Sequence, residues 1–161
     1  MARFRPHVLL AISLALTLAV LAHAPIPQPL AYHRFADTRT LLGLPNFWNV
    51  VSNIPFVLVG FAGLAWCATH IARVPRELRA CWLVLFLGVV LVGLGSSWYH
   101  LSPGSAALVW DRLPMTLAFM AFFAIILGEH INLRLARVVL WPLLLAGVAS
   151  VLYWRNTDDL R

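Results

Sequence analysis

The chain has 161 residues, 61% of them hydrophobic and 11% charged, with a mean hydropathy of +0.84. An average soluble domain carries roughly 25% charged residues, so too little polar surface is available here to coat a water-soluble globule. A cytosolic enzyme, a disordered tail and a disulfide-stapled secreted domain are excluded. The formal charge is +6, but the basic residues are dispersed, all 12 are Arg and none is Lys. Dispersed arginines in an apolar chain mark loop ends rather than a nucleic-acid surface. No nucleic-acid partner is expected, and no protein partner is evident. Arginine without lysine points to GC-rich coding and so to a bacterial inner membrane.

About 20 apolar residues cross a hydrocarbon core of roughly 30 Å. In chain order the qualifying stretches are Val8–Ala24, Phe47–Ala68, Ala80–Tyr99, Ala106–Leu127 and Leu135–Tyr153. They are separated by the Pro25–Pro29 run, the Arg73–Arg79 segment, Ser102–Ser105 and Glu129–Arg134. The expected fold is all-α, a multi-pass transmembrane helix bundle of about five spans. The first span has two readings. Arg3 and Arg5 precede it and Ala22-His23-Ala24 closes it, which describes a retained helix or a cleavable signal peptide equally well. The expected division is therefore 1–24 as helix or signal, 25–46 as an outer loop and 47–161 as the membrane domain.

With the N-terminus inside, Arg3, Arg5, Arg73, Arg76, Arg79, Arg134 and Arg137 are cytoplasmic, against Arg34, Arg39, Arg155 and Arg161 outside. Cys67 and Cys81 then lie near cytoplasmic span ends, where a disulfide is disfavoured and burial as small apolar side chains is expected.

The polar residues at membrane depth are the informative ones. Asn46, Asn49 and Asn53 fall at i, i+3 and i+7 at the start of the second span, with Ser52 beside them. Ser96 and His100 are i, i+4 neighbours at the end of the third span. Asp111 lies about five residues into the fourth, roughly 7–8 Å below its outer end. Three segments thus place polar groups at one depth beneath one membrane face. A charged Asp near a helix centre costs about 2.5–3.5 kcal/mol on insertion scales, so Asp111 needs a partner. Arg112, pointing about 100° away on the helix, is expected to snorkel to the outer headgroups instead. Gly88, Gly93 and Gly95 read as close-packing positions, and Trp48, Trp98, Tyr99 and Trp110 as an outer aromatic belt. The remaining histidines, His33 among them, read as incidental.

The strings FWNVVSN, GSSWYH and WDRLPM, in that order on consecutive spans, resemble the alkaline ceramidase family. That family sits within a superfamily of seven-helix membrane hydrolases and receptors that includes adiponectin-receptor-like proteins. The resemblance implies an amidase acting on ceramide-like membrane lipids, with a Zn2+ ion held by three histidines. Carried over, His100 is a zinc ligand, Ser96 the serine near the metal-bound water, and Asp111 the acid that orients or deprotonates that water. Asn49, Ser52 and Asn53 form the supporting polar cluster. The family's second signature, H-x-x-x-H, is not found here, so two further His ligands are expected beyond the C-terminus and the chain reads as C-terminally truncated, with only the first four helices of a seven-helix core. The calcium motif of eukaryotic members is not supported, because Asn46 stands where they carry a Glu and Asp37 alone is acidic upstream. Two other readings accompany this one: a receptor-like or lipid-sensing bundle without activity, and an ion or proton pathway around Asp111 and Arg112.

The charge bias makes a testable statement about topology. A cysteine placed at Ser105 is expected to react with an impermeant thiol reagent applied from outside, and one placed at Arg76 to be protected. The reverse pattern would invert the orientation.

Overall fold

In the computed structural model, which describes residues 5–161, no strand is formed and helices dominate. The helices are α1 (Arg5–Ala22), α2 (Phe47–Val51), α3 (Ile54–His70), α4 (Arg79–Leu101), α5 (Ser105–His130) and α6 (Leu133–Thr157), with single 3₁₀ turns at Leu30–His33 and Ile71–Arg73. Four segments are long and apolar enough to cross a membrane: Phe47–Arg73, Arg79–Leu101, Ser105–His130 and Leu133–Thr157. The protein is an all-α, multi-pass integral membrane protein.

The α1 helix stands apart. Its described side chains are all exposed, and it makes no substantial contact with the long helices. Arg3, one of the two arginines ahead of its apolar run, lies outside the described residues. Among the other four segments, α4 packs most extensively on α5, α5 on α6 and α3 on α4, while α4 and α6 meet only marginally. The long helices therefore form a row in which each element leans on its sequence neighbours. Burial concentrates toward the two ends of the helices. One cluster gathers Leu78, Cys81, Ala124, Ala136 and Leu140 at the end carrying the Arg73–Arg79 loop, and Cys67 and Cys81 are both buried and free, as expected. The other gathers Tyr99, Leu108, Val109, Val151 and Trp154 at the end carrying the sequence motifs.

Small residues set the helix spacing. A β-carbon at Gly88 would fall 2.8 Å from the Ala118 nitrogen, and one at Gly93 would fall 3.1 Å from the Asn53 carbonyl oxygen. Gly95 is tighter still, since a β-carbon there would collide with the carbonyl oxygen of Trp110. Pro114 explains that approach. It sits inside α5 and has no N–H to give the carbonyl four residues earlier, which is that of Trp110. The released carbonyl turns to α4, and only glycine leaves room for it.

The second span is not one continuous helix, which corrects the reading of the three asparagines as a single helical face. Asn46 precedes α2 in the left-handed region at φ 50, a conformation Asn tolerates better than most residues. The helix then breaks at Ser52–Asn53, ahead of Pro55. The Asn53 backbone N–H donates to Val50 instead of Asn49, and the Asn49 carbonyl is satisfied by side chains: the Ser52 hydroxyl at 2.9 Å and the Asn53 amide at 2.9 Å.

Replacing Gly95 with Ala is expected to force α4 and α5 apart at Trp110 and to cost about 1–3 kcal/mol, the usual penalty of overpacking. Gly104→Ala, with nothing within 4 Å of the added carbon, is expected to stay within about 0.5 kcal/mol. Thermal unfolding in detergent compares the two, and equal melting temperatures would refute the contact.

Candidate functional site

Locking Gly95 to Trp110 fixes their neighbours. Ser96 follows Gly95 and is 8% exposed, and Asp111 follows Trp110 on the facing helix. The Ser96 hydroxyl, the His100 ring and the Arg112 guanidinium are the groups close enough to act on the Asp111 carboxylate. Ser96, His100 and Asp111, separate in sequence, thus share one location at the motif end of the α4–α5 seam.

His100 is held by everything except its own ring nitrogen. Its carbonyl accepts a hydrogen bond from the Asn46 side chain at 2.8 Å. Its ring packs against Phe35, centroids 4.7 Å apart, and against Tyr99 at 5.2 Å. Nδ1 is buried without a partner. Buried polar atoms almost always find one, so an imidazole nitrogen with no other use suits a metal ligand. Among the described residues, however, no group of three His, Cys, Asp or Glu side chains could hold a metal ion. The donor set fits one corner of a zinc shell and not a complete shell.

An apolar groove lies along the same helix stripes as this polar cluster. On α4, Leu85, Val89, Val92 and Ser96 are spaced four, three and four residues apart, which is one helix stripe. On α5, Asp111, Met115, Ala118 and Phe122 repeat the same spacing. Between the apolar parts of those stripes, with Phe56 of α3 as the third wall, lies a groove of about 350 Å³ lined by apolar side chains. Ser96 and Asp111 lie one helical turn beyond its lining, after Val92 and before Met115.

The loop between α1 and α2 covers the cluster, and here the sequence reading needs correcting. Tyr99 does not belong to the aromatic belt. It is 2% exposed, whereas Trp48, Trp98 and Trp110 all face outward. Its hydroxyl shares a hydrogen bond with His33 Nδ1 at 2.8 Å, and His33 Nε2 shares one with the Ser105 hydroxyl at 3.1 Å. His33 is therefore no incidental residue but the tie between the loop, α4 and the start of α5. Its only sequence signal is a lone histidine beside Tyr32 and Arg34 in a loop, which says nothing about a partner 66 residues away. Asp37 completes the attachment by accepting from the Trp48 backbone N–H at 3.2 Å, while its own carbonyl accepts from the Asn49 side chain at 2.8 Å. The hydrogen bonds of Asn49, Ser52 and Asn53 thus end on backbone carbonyls: these three side chains build the support beneath the site. Arg112 does not snorkel either. It turns back into the protein, donating to Gln28 Oε1 at 2.6 Å and lying 4.0 Å over the Trp154 ring.

A family model described as Ceramidase matches residues 44–159, which takes in the helix break, both motif helices and α6. The chain belongs to the ceramidase family. Searches of curated proteins and of solved structures find no match. In this ceramidase-family chain the matched region holds Ser96, His100 and Asp111, while His33 and Phe35 of the covering loop lie ahead of it.

Two carboxylates outside the membrane segments have displaced titration. The Asp37 carboxyl is held low, chiefly by the Arg39 hydrogen bond, against the opposing effect of burial. For Asp159, burial pushes upward, but hydrogen bonds from Arg161, Tyr153 and the Ile26 N–H prevail and hold it at about 2. Asp159 joins the segment after α6 to the loop before α2, helped by Leu160 N–H donating to the Ile26 carbonyl. A carboxylate with a depressed folded pKa contributes stability above its ordinary value near 3.8 and loses it as pH falls toward the folded value. Amide exchange at Ile26, corrected for intrinsic rates, is expected to accelerate between pH 4 and about pH 2. Asp159→Asn is expected to show the fast exchange already at pH 6, and slow, pH-independent exchange in the unchanged protein would refute the clasp.

Proposed function

We propose that this protein is a zinc-dependent intramembrane amidase that cleaves the N-acyl bond of ceramide-like lipids. The observation that carries the reading is the polar cluster of Ser96, His100 and Asp111, whose Ser96 and Asp111 lie one helical turn beyond the lining of an apolar groove on the same two helix stripes. An N-acyl lipid has the matching form, an amide joined to a long apolar chain. Family membership supports the same chemistry.

In this reading His100 contributes one protein ligand, and the remaining two come from the histidine pair that the family resemblance places after the fourth long helix. The metal supplies Lewis-acid polarisation of the amide carbonyl. Asp111 takes a proton from the attacking water as the oxygen bonds to the carbonyl carbon, then returns it to the departing nitrogen as the C–N bond breaks. Ser96 donates to the carbonyl oxygen as negative charge develops there. Asn46 and Phe35 hold His100 in place, and the loop from His33 to Asp37 limits water at the site. The products are a fatty acid and a free amine. The arginine bias supports an orientation with the cluster toward the extracytoplasmic face, and arginine without lysine supports a bacterial inner membrane.

In the full-length protein, Asp111→Asn is expected to keep its zinc and to lower ceramide hydrolysis at least about a hundredfold, the lower range for a positioned general base. His100→Ala is expected to lose zinc and activity together, and Ser96→Ala to cost a comparable or smaller factor. Turnover measured alongside metal content decides the matter. Undiminished hydrolysis by Asp111→Asn would overturn the mechanism, and zinc-free full-length protein that retains lipid would favour the lipid-sensing reading.

A further inference from the structure

Arg112 lies seven residues into α5, roughly 10 Å below its first residue, yet it turns inward. Among the described residues it forms no ion pair, and its hydrogen bond to the Gln28 side chain leaves most of its five donors unused. A half-buried cation at this depth calls for a counter-charge. Asp111, its neighbour in sequence, lies close enough for its charge to be felt, but the two make no ion pair, and the nearest hydrogen-bonding group to the Asp111 carboxylate is Ser96. Asp159 is near, but Arg161 already neutralises it at 2.7 Å.

The guanidinium borders a cavity of about 210 Å³ shared with Ser150, Trp154, Asp159 and Arg161. Its lining holds two arginines against one aspartate, so one positive charge is left over. The Trp154 indole N–H is a second donor without an acceptor, on a side chain only 5% exposed. The Ser150 hydroxyl is engaged with the Gly147 carbonyl. Every unsatisfied group here is a donor, and what is missing is acceptor oxygen carrying one negative charge. Val151 and Leu160 make the rest of the wall, which favours an anion that arrives attached to hydrocarbon over a hydrated free ion.

We infer that Arg112 and Trp154 form a binding site for the phosphodiester of an anionic membrane lipid, between α5 and α6 and distinct from the Ser96–His100–Asp111 cluster. The site does not depend on the proposed amidase activity. It ties a lipid headgroup to the junction of α5, α6 and the loop through Gln28.

The test uses the purified protein in detergent with equimolar phosphatidylglycerol and phosphatidylcholine, and reads retained lipid by native mass spectrometry. The unchanged protein is expected to prefer the anionic lipid about fivefold, the effect of one basic residue at a membrane surface. Arg112→Gln is expected to bring the ratio to parity and Arg112→Lys to keep part of it. Arg134→Gln, the same charge change at the other end of α6, is expected to leave it intact. Trp154→Phe keeps an aromatic ring beneath the guanidinium and removes only the N–H, and a reduced preference is expected there too, so the inference survives if Arg112→Gln fails to fold. No preference in the unchanged protein, full preference in Arg112→Gln, or stabilisation by inorganic phosphate without lipid retention would each overturn it.

Discussion

Everything at the motif end depends on one carbonyl that has lost its helical donor. Pro114 cannot supply an N–H, so the Trp110 oxygen is free to leave the axis of α5, and Gly95 is the residue that receives it. A weak Cα–H···O contact of this kind contributes about 0.5–1 kcal/mol. Its geometric effect is larger than its energy. Two backbones are brought to near-minimal separation at one level, and the next residue on each, Ser96 and Asp111, inherits that closeness.

The second layer of organisation is the loop between α1 and α2, which behaves as part of the site. Four attachments reach it or its junction with α2: His33 to Tyr99, Phe35 to the His100 ring, Asp37 to the α2 backbone, and Asn46 to the His100 carbonyl. Two of them hold side chains, the Tyr99 hydroxyl and the His100 ring, and two hold backbone groups, the Trp48 N–H and the His100 carbonyl. The division is one of placement: α4 and α5 carry Ser96, His100 and Asp111, while the loop and α2 hold His100 by its ring and its carbonyl.

Hydropathy made the spans legible because length and apolar content are additive along a helix, and the small-residue contacts at Gly88, Gly93 and Gly95 were readable for the same reason. Depth counting along Ser96, His100 and Asp111 also succeeded, since a rise of about 1.5 Å per residue holds inside regular helices. It failed where the helix is not regular. The asparagine series assumed an unbroken second span, but Pro55 and the Ser52–Asn53 break reset the phase, and those side chains close backbone bonds that the break opens. Tyr99 and His33 were misread because an aromatic at a span end has two fates, facing lipid or folding under a loop, and composition does not separate them. Arg112 was misread through its likeness to other interfacial arginines, when its partners Gln28 and Trp154 come from opposite ends of the chain.

The short connection between α4 and α5 bears on how this protein enters the bilayer. Only residues 102–104 separate the two helices, so they are made within moments of each other and can leave the insertion machinery as a hairpin. An isolated α5 would bring Asp111 into hydrocarbon unaccompanied, at the insertion cost such a carboxylate carries. As a hairpin, the Gly95–Trp110 contact shields Asp111 against Ser96 and His100 before any other helix is present. The geometry that assembles the site therefore also lowers the cost of inserting Asp111.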